Sequence, residues 1–203
     1  MPRQARIVIP GIPHHVTHRG IRGERIFHSD NDHQRYLAML KEYSAEHSLS
    51  IAAYCLMPNH IHLVVVPAAA DSLSATLEPL QMRYTQYLNA VYHGSGTRWD
   101  NRFYSCPCDD SHFWCAIRYV EQNPLRCGTV QRAQLYPWSS AAGHCGLRPD
   151  PLLWTETTAV HQAQWADWLT CSDEEMLLRT LRSCTSSGRP AGDEGFRRRV
   201  GGG

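Results

Sequence analysis

Two imidazoles lie two residues apart in the segment Pro58-Asn59-His60-Ile61-His62-Leu63-Val64-Val65. Alternate residues of a strand face the same side of a sheet, so His60 and His62 would project together. Ile61 and Leu63 would then point to the other side. Two adjacent imidazoles can clamp a divalent metal ion. In the alternative interpretation one histidine packs in the core and the other is solvated, and a buried imidazole then needs a hydrogen-bond partner.

A second candidate group lies on a helix predicted to begin at Asp110 or Ser111 and to stop at Pro124. At helical spacing its buried stripe consists of Phe113, Ala116, Ile117 and Val120. Tyr119 and Asn123 are four residues apart, so both lie on one flank of this stripe. Taken singly, Tyr119 could pack at the core boundary with its hydroxyl in water, and Asn123 could be a helix C-cap.

Taken together, these side chains suggest phosphoryl-transfer chemistry. His60, His62 and Asn123 could hold one divalent cation and leave coordination positions open for a phosphate. Such a metal polarises the phosphoryl oxygen. Tyr119 could attack the phosphorus and store the strand as a phosphotyrosine. Because that intermediate conserves the bond energy, no nucleotide cofactor is expected.

The elements that must position these residues follow from hydrophobic periodicity and turn signals. Strands are predicted at 14–18, 51–57, 60–66 and 102–108. Helices are predicted at 29–47, from 71 or 72 to the glycines at 94 and 96, and before Pro124. The first helix begins with a capping box, Ser29 and Asp32. This order indicates an α+β fold in which helices pack on a ferredoxin-like antiparallel sheet.

Beyond about Pro137 the pattern becomes irregular. Two short helices are predicted near 158–169 and 173–183, followed by a Gly/Arg-rich tail that we expect to be loose. The 203 residues suffice for one good core, and 42% hydrophobic with 19% charged residues is typical of a globular protein. No window approaches eighteen apolar residues, and the start lacks a secretory signal, so we expect a cytoplasmic protein without a membrane span.

The eight cysteines contain no C-x-x-C pair. In a reducing compartment they are expected to be reduced thiols of the core. A zinc site that uses Cys106 and Cys108 is the alternative, although zinc-binding pairs usually have a wider spacing.

The net charge is only +1, but the basic residues are almost all arginines and are unevenly placed. Five arginines occur in the first 25 residues, and Arg197, Arg198 and Arg199 cluster near the end. Guanidinium groups match phosphate geometry, although a GC-rich genome would also favour arginine. Local patches of this kind can bind nucleic acid on a chain that is neutral overall.

Several ordered motifs resemble those of the REP-associated tyrosine transposases, which are relatives of the HUH single-tyrosine (IS200-like) transposases. The similarity extends from about residue 3 to 145 and continues weakly into Leu181 to Phe196. The motifs that carry it are Arg6 to Gly20, Tyr54 to His62, Gly96 to Phe103, Arg118 to Pro124, and Tyr136 to Ser140. The resemblance implies an HUH endonuclease-type catalytic domain at 1–145. Residues 146–203 would form a C-terminal helical extension with a basic, partly flexible tail.

The resemblance also implies that His60, His62 and Asn123 bind Mg²⁺ or Mn²⁺ and that Tyr119 is the nucleophile. Since imidazoles suit Mn²⁺ better than Mg²⁺, we expect Mn²⁺ to bind more tightly. The implied substrate is single-stranded DNA that carries a hairpin, such as a repetitive extragenic palindrome. The residues expected to contact DNA are Arg3, Arg6, Arg19, Trp99, Arg102, Arg197 and Arg198. Trp99 and Phe103 could stack on bases or pack in the core.

Three functions remain open on the sequence alone. The first is a DNA strand transferase that acts through a 5′-phosphotyrosine. The second is a catalytically inactive, sequence-specific DNA-binding protein of the same fold. The third is a metal-dependent phosphodiesterase in which water replaces Tyr119 as the attacking group. A monomer is favoured, and a dimer is possible.

Overall fold

The computed structural model describes residues 6–158, 162–171 and 175–201. Its centre is a four-stranded sheet with the order β2-β3-β1-β4, in which every neighbouring pair is antiparallel. The strands are β1 (His14–Arg19), β2 (Leu49–Met57), β3 (His60–Pro67) and β4 (Tyr104–Pro107). This strand order confirms the predicted ferredoxin-like antiparallel sheet and the α+β class.

Helices cover both faces of the sheet. On one face α1 (Asp30–Glu46) and α2 (Ser72–Val91) pack together, and on the other lie α3 (Asp110–Glu121) and α8 (Glu175–Ser187). The shorter helices are α4 (Asn123–Arg126), α5 (Ala141–His144), α6 (Thr155–Thr158), α7 (Gln162–Trp168) and α9 (Glu194–Val200), and 3₁₀ turns occur at Ile21–Gly23 and Ala133–Leu135.

The predicted capping box begins α1. The backbone N–H of Asp32 donates to the Ser29 hydroxyl, and the Asp32 carboxylate accepts from the Ser29 backbone N–H at 2.9 Å. Tyr87 and Tyr92 also donate their hydroxyls to this carboxylate. Burial alone would raise the pKa of Asp32, but the His28 backbone N–H, which donates to the carboxylate at 2.8 Å, and these other hydrogen bonds together lower it. The start of α1 is therefore fixed by local sequence and by the far end of α2.

Strand β3 separates the core from the candidate site by simple alternation. Ile61, Leu63 and Val65 are buried in the core under α1 and α2. His60 and His62 face the opposite side, toward α3. The prediction that one face of this strand is apolar and that the other carries both histidines is confirmed.

The C-terminal segment is part of the same packed structure. Helix α8 packs on β4 and against α3, and Leu181 is fully buried between them. Beyond it, the backbone N–H of Ala191 donates to the carbonyl of Pro107 at 2.8 Å at the edge of the sheet. The sequence does not predict helix α9, which lies in the segment expected to be loose. Asp193 caps this helix, and Phe196 anchors it in the core.

Within the part of the chain that the structure describes, no helix is long and apolar enough to cross a membrane.

Candidate active site

The two imidazoles of β3 lie side by side, with ring centroids 5.0 Å apart. The register of β1 against β3 places Thr17 opposite His62 and Arg19 opposite His60. Arg19 is exposed, so it adds positive charge at the rim of the site. His62 is buried, with 6% of its surface accessible, whereas His60 is half-buried. His62 is therefore the inner imidazole of the pair, and His60 is the outer one.

Helix α3 brings Tyr119 to this pair. The Tyr119 ring meets His62 edge to face, with centroids 5.5 Å apart and an interplanar angle of 83°. The predicted stripe of α3 is buried against the sheet, which holds the flank that carries Tyr119 over β3. A cleft of about 370 Å³ lies between them, and its walls include His60, His62, Tyr119 and Asn123. The structure thus brings the four predicted site residues to one cleft.

Asn123 begins α4 rather than capping α3, because the chain makes only a small break at Gln122 before it turns again. Pro124 is tolerated there, since the first turn of a helix needs no N–H from it. The Asn123 side-chain amide donates to the Tyr119 carbonyl at 3.1 Å. The side chain is 7% exposed. Its amide nitrogen is thus engaged, and its oxygen is the atom suited to bind a cation.

Burial keeps the imidazoles neutral. It lowers the pKa of His60 to about 4, with a smaller effect from the nearby positive charge of Arg19. Burial also lowers the pKa of His62 well below its usual value, helped by His15 and His60. A histidine must be neutral to bind a metal ion. Both side chains are in that state at neutral pH.

The donor set fits a divalent metal. In the described parts of the chain, no three His, Cys, Asp or Glu side chains converge on a common point. A side chain of another type, Asn123, lines the same cleft as His60 and His62 and carries a neutral amide oxygen. Two nitrogens and one neutral oxygen suit Mn²⁺ well and Mg²⁺ less well.

Two arginines that the sequence did not single out lie against the Tyr119 ring. The Arg126 guanidinium is 4.4 Å from the ring centroid and that of Arg182 is 5.2 Å away. Arg126 also donates to the Tyr119 carbonyl. Arg126 follows Tyr119 by seven residues, so two helical turns could have indicated it. Arg182 comes from α8, and no local pattern places it here.

Strand β1 adds a histidine to the site. His14 and His15 alternate across the strand, and it is His15 that faces the cleft, with its Nε2 3.2 Å from Nδ1 of His62. His14 turns to the other side and hydrogen-bonds the Ile12 carbonyl. Alternation shows that only one of the two can face the site, but the strand register decides which.

Some residues expected to contact DNA lie close to this cleft. Arg19 is on its wall. Arg6 and Arg102 line a second cleft of about 510 Å³, together with Arg189. Both clefts have Tyr104, Thr185 and Ser186 in their walls, so they adjoin. Arg6 is partly engaged, since it lies 3.6 Å over the Phe103 ring and pairs with Glu78.

The remaining candidates lie elsewhere. Trp99 is only 4% exposed, and His18 stacks on its ring with centroids 4.6 Å apart. Core packing, not base stacking, therefore accounts for Trp99, and the same holds for the buried Phe103. Arg197 and Arg198 lie on α9, where Arg197 donates to the Gly192 carbonyl and Arg198 pairs with Glu194. Arg3 lies outside the described residues.

The cysteines are all free thiols. Four of them, Cys55, Cys106, Cys108 and Cys115, are buried, whereas Cys127 and Cys171 are exposed. Cys106 contacts the Thr185 hydroxyl at 3.2 Å and Cys108 contacts a backbone carbonyl. These contacts fit packed thiols rather than ligands of zinc.

Comparison with known proteins adds to this geometry. Residues 11–123, more than half of the chain, match the family described as "Transposase IS200 like". No curated protein matches the chain. Among solved structures, a REP-associated tyrosine transposase bound to a REP hairpin is 18% identical, with a TM-score of 0.62 over 76% of this chain and 91% of that one. A putative transposase from Deinococcus radiodurans R1 is 15% identical, with a TM-score of 0.42 over 60% and 97%.

Proposed function

The chain belongs to the IS200-like transposase family, and from this premise we propose that it cuts and rejoins single-stranded DNA, with Tyr119 as the nucleophile and a divalent metal ion as cofactor. The observation that carries the proposal is the contact between the rings of Tyr119 and His62 at 5.5 Å. This contact supports the proposal because it brings the candidate nucleophile and a candidate metal ligand, from distant parts of the sequence, to one cleft.

His60, His62 and Asn123 would hold Mn²⁺ or Mg²⁺. When bound, the ion polarises a phosphoryl oxygen and offsets the charge that develops in the transition state. The protein supplies neutral donors, and the exposed rim at Arg19 leaves the cleft open on the solvent side. The fit of the donor set supports this assignment.

The cleavage step is an attack of the Tyr119 oxygen on the scissile phosphorus. The bond from phosphorus to the Tyr119 oxygen forms, and the bond to the 3′ oxygen breaks. The departing 3′ oxygen takes up a proton, and the phenol loses one. The products are a 5′-phosphotyrosine and a free 3′-hydroxyl, and a 3′-hydroxyl joins the strand by the reverse attack.

Arg126 and Arg182 support this step by their position. Their guanidinium groups lie 4.4 Å and 5.2 Å from the centre of the Tyr119 ring, so they place positive charge beside the aromatic ring whose hydroxyl loses its proton. Arg182 also lines the cleft that would receive the phosphate. Positive groups that are already in place lower the barrier because they need no reorganisation as charge develops.

We further propose that the substrate is hairpin-bearing DNA with a single-stranded portion, of the REP type. The solved relative with this fold binds a REP hairpin. In this chain Arg6, Arg102 and Arg189 border the cleft that adjoins the catalytic one. Guanidinium groups on a chain of net charge +1 provide a local path for phosphates.

One chain suffices for the reaction in this proposal. Tyr119 contacts His62 of its own chain, so no second copy is needed to complete the site. We therefore propose a monomer as the active unit. Light scattering during active cleavage tests this, because an obligatory dimer would show twice the mass.

The decisive experiment uses a hairpin oligonucleotide labelled at its 3′ end, incubated with the protein and Mn²⁺ and run on a denaturing gel. A 5′-phosphotyrosine leaves the label attached to protein, and the adduct should vanish in Tyr119→Phe. Cleavage that persists in Tyr119→Phe would instead identify water as the nucleophile. Tight DNA binding without cleavage would leave a DNA-binding protein that has lost its catalytic activity.

A further inference from the structure

The inner imidazole of the site is held by a second imidazole. Nδ1 of His62 lies 3.2 Å from Nε2 of His15. The two ring planes differ by only 9°, and the facing nitrogens are much closer than the centroids, which are 5.5 Å apart. The rings therefore meet edge to edge, as in a hydrogen bond in the ring plane. One of these two nitrogens must carry the proton, and the other must accept it.

The contact made by the other nitrogen of His15 shows which of the two facing nitrogens carries the proton. Nδ1 of His15 lies 2.8 Å from the Thr185 hydroxyl oxygen. That hydroxyl has one proton, which it donates to the Leu181 carbonyl at 2.7 Å within α8. Its oxygen is then free only to accept, from His15 and from the thiol of Cys106 at 3.2 Å.

The protonated nitrogen of each histidine can therefore be assigned one after the other, starting from Thr185. Because Thr185 accepts, His15 carries its proton on Nδ1 and has a lone pair on Nε2. Because that lone pair faces His62, His62 carries its proton on Nδ1. The lone pair of His62 is then on Nε2, the nitrogen on the far side of the ring from His15.

We propose that Thr185 and His15 are positioning residues that fix the tautomer of His62, so that its Nε2 lone pair is available for metal. The inference rests on the proposed metal site at His60, His62 and Asn123. A ligand histidine is typically oriented by a partner on its other nitrogen, and such partners affect metal affinity strongly. Here that partner is itself set by a hydroxyl 170 residues away in sequence.

The tautomer of His60 is fixed in the same way, but through the neighbouring residue Asn59. Its Nδ1 lies 2.7 Å from the side-chain oxygen of Asn59. The Asn59 amide nitrogen donates to the Gly23 carbonyl at 3.2 Å, which fixes the oxygen toward His60. His60 must therefore donate from Nδ1 and keep its lone pair on Nε2. In both cases the series of hydrogen bonds finishes at a backbone carbonyl, that of Leu181 or of Gly23. A carbonyl oxygen can only accept a hydrogen bond, so it fixes the direction of every bond before it.

The first test needs no variant and no metal. In the full chain stripped of metal with a chelator, long-range proton–nitrogen correlation spectra distinguish protonated from bare imidazole nitrogens. We expect His15, His60 and His62 all to carry the proton on Nδ1, whereas an imidazole free in water prefers Nε2. A proton on Nε2 of His62 would overturn the proposal.

The second test compares Thr185→Val with Thr185→Ser by calorimetric titration with Mn²⁺. Valine keeps the shape but removes the hydroxyl, so we expect affinity to fall about tenfold to a hundredfold, with serine close to the natural protein. His62 should also lose its single tautomer in the valine variant. Equal affinity in the valine variant and the natural protein would overturn the relay. Failure of the natural protein to bind Mn²⁺ would overturn the metal site instead, and the tautomer spectra separate these two results.

Discussion

The Tyr119 and His62 rings meet edge to face, with their centroids 5.5 Å apart and their planes at 83° to each other. Tyr119 comes from α3 and His62 from β3, so the contact depends on how the helix packs across the sheet. The buried stripe of α3 fixes that packing, since a rotation of one residue, about 100°, would carry Tyr119 away from the imidazoles. The two proposed roles, nucleophile for Tyr119 and metal ligand for His62, thus belong to different residues that lie in contact and can be changed separately by mutation.

Substitution of His60 should impair metal binding, whereas substitution of Tyr119 should abolish only the covalent reaction with DNA. His60→Ala removes one of the proposed metal ligands, so Mn²⁺ affinity should fall by more than about a hundredfold, which exceeds the loss typical of residues that only orient a ligand. Tyr119→Phe keeps both imidazoles and should bind Mn²⁺ normally while forming no DNA adduct. Calorimetry and the 3′-label gel on the same two variants measure this. Normal Mn²⁺ affinity in His60→Ala would contradict the assigned ligand set.

Arg182 should contribute to cleavage rather than to folding. Its guanidinium lies 5.2 Å from the Tyr119 ring, and the side chain is exposed. Arg182→Ala should lower the single-turnover cleavage rate by about tenfold to a hundredfold with Tm nearly unchanged. Arg179→Ala is the matched control, because Arg179 is exposed on the same helix and pairs with Glu175. Equal rates for the two variants would exclude a role for Arg182 in the reaction.

Glu121 should be a major source of stability. Its carboxylate is fully buried and accepts from Ser140, from His144 Nδ1 at 2.6 Å and from Trp165 Nε1 at 2.8 Å. Glu121→Ala leaves these three donors without their acceptor, so the free energy of unfolding should fall by about 3 kcal/mol or more. Urea denaturation measures the loss. The exposed Glu175→Ala provides the control and should stay within about 0.5 kcal/mol.

Much of the scaffold could be predicted because its signals are local. Alternation along β3, the stripe of α3 and the cap at Ser29 each depend on residues within a few positions, and the structure has all three. The helices near 158–169 and 173–183 also occur, at Gln162–Trp168 and Glu175–Ser187. Boundaries differ by a few residues, as at β4, which is shorter than predicted.

The rest of the site could not be predicted because it depends on long-range packing. The sequence identifies His60, His62, Tyr119 and Asn123, but nothing local indicates that Thr185 or Arg182 returns to the same cleft. The choice between His14 and His15 likewise depends on the register of β1 against β3. For Trp99, the aromatic type suits both a core and a base-stacking surface, and only burial distinguishes them.

The stability of the protein should fall in mild acid. Burial lowers the pKa of His14 and of His18 to about 4, below the usual 6.5. Between these values the unfolded chain binds protons that the folded chain does not, so stability decreases as the pH falls from about 6.5 to 4 and is fully restored above 6.5. Each group contributes at most about 1.4 kcal/mol per pH unit.

Urea denaturation at several pH values measures this slope. His18→Gln removes one titrating group and should make the stability less sensitive to pH. His93→Asn is the matched control, because His93 is exposed and asparagine tolerates its positive φ of 50°. A pH dependence that is the same in His18→Gln as in the natural protein would show that His18 is protonated equally in both states.

Truncation should show whether residues 1–145 fold without the C-terminal extension. The division of the chain at residue 145 is a prediction from sequence. The contacts of α8 oppose independent folding, because Leu181 is fully buried against the face that carries Ile117 and Val120. A chain that ends at residue 145 also loses the Trp165 donor to Glu121.

We therefore expect the truncated chain to unfold without a sharp transition and to bind a hydrophobic dye. In the full chain, Leu181→Ala should cost about 2–5 kcal/mol, as for a leucine cavity in a core. Because Thr185 leaves with the extension, even a folded fragment should bind Mn²⁺ more weakly. A fragment 1–145 with a cooperative transition and unchanged Mn²⁺ affinity would show that the extension is a separate unit and that the proposed tautomer relay is dispensable.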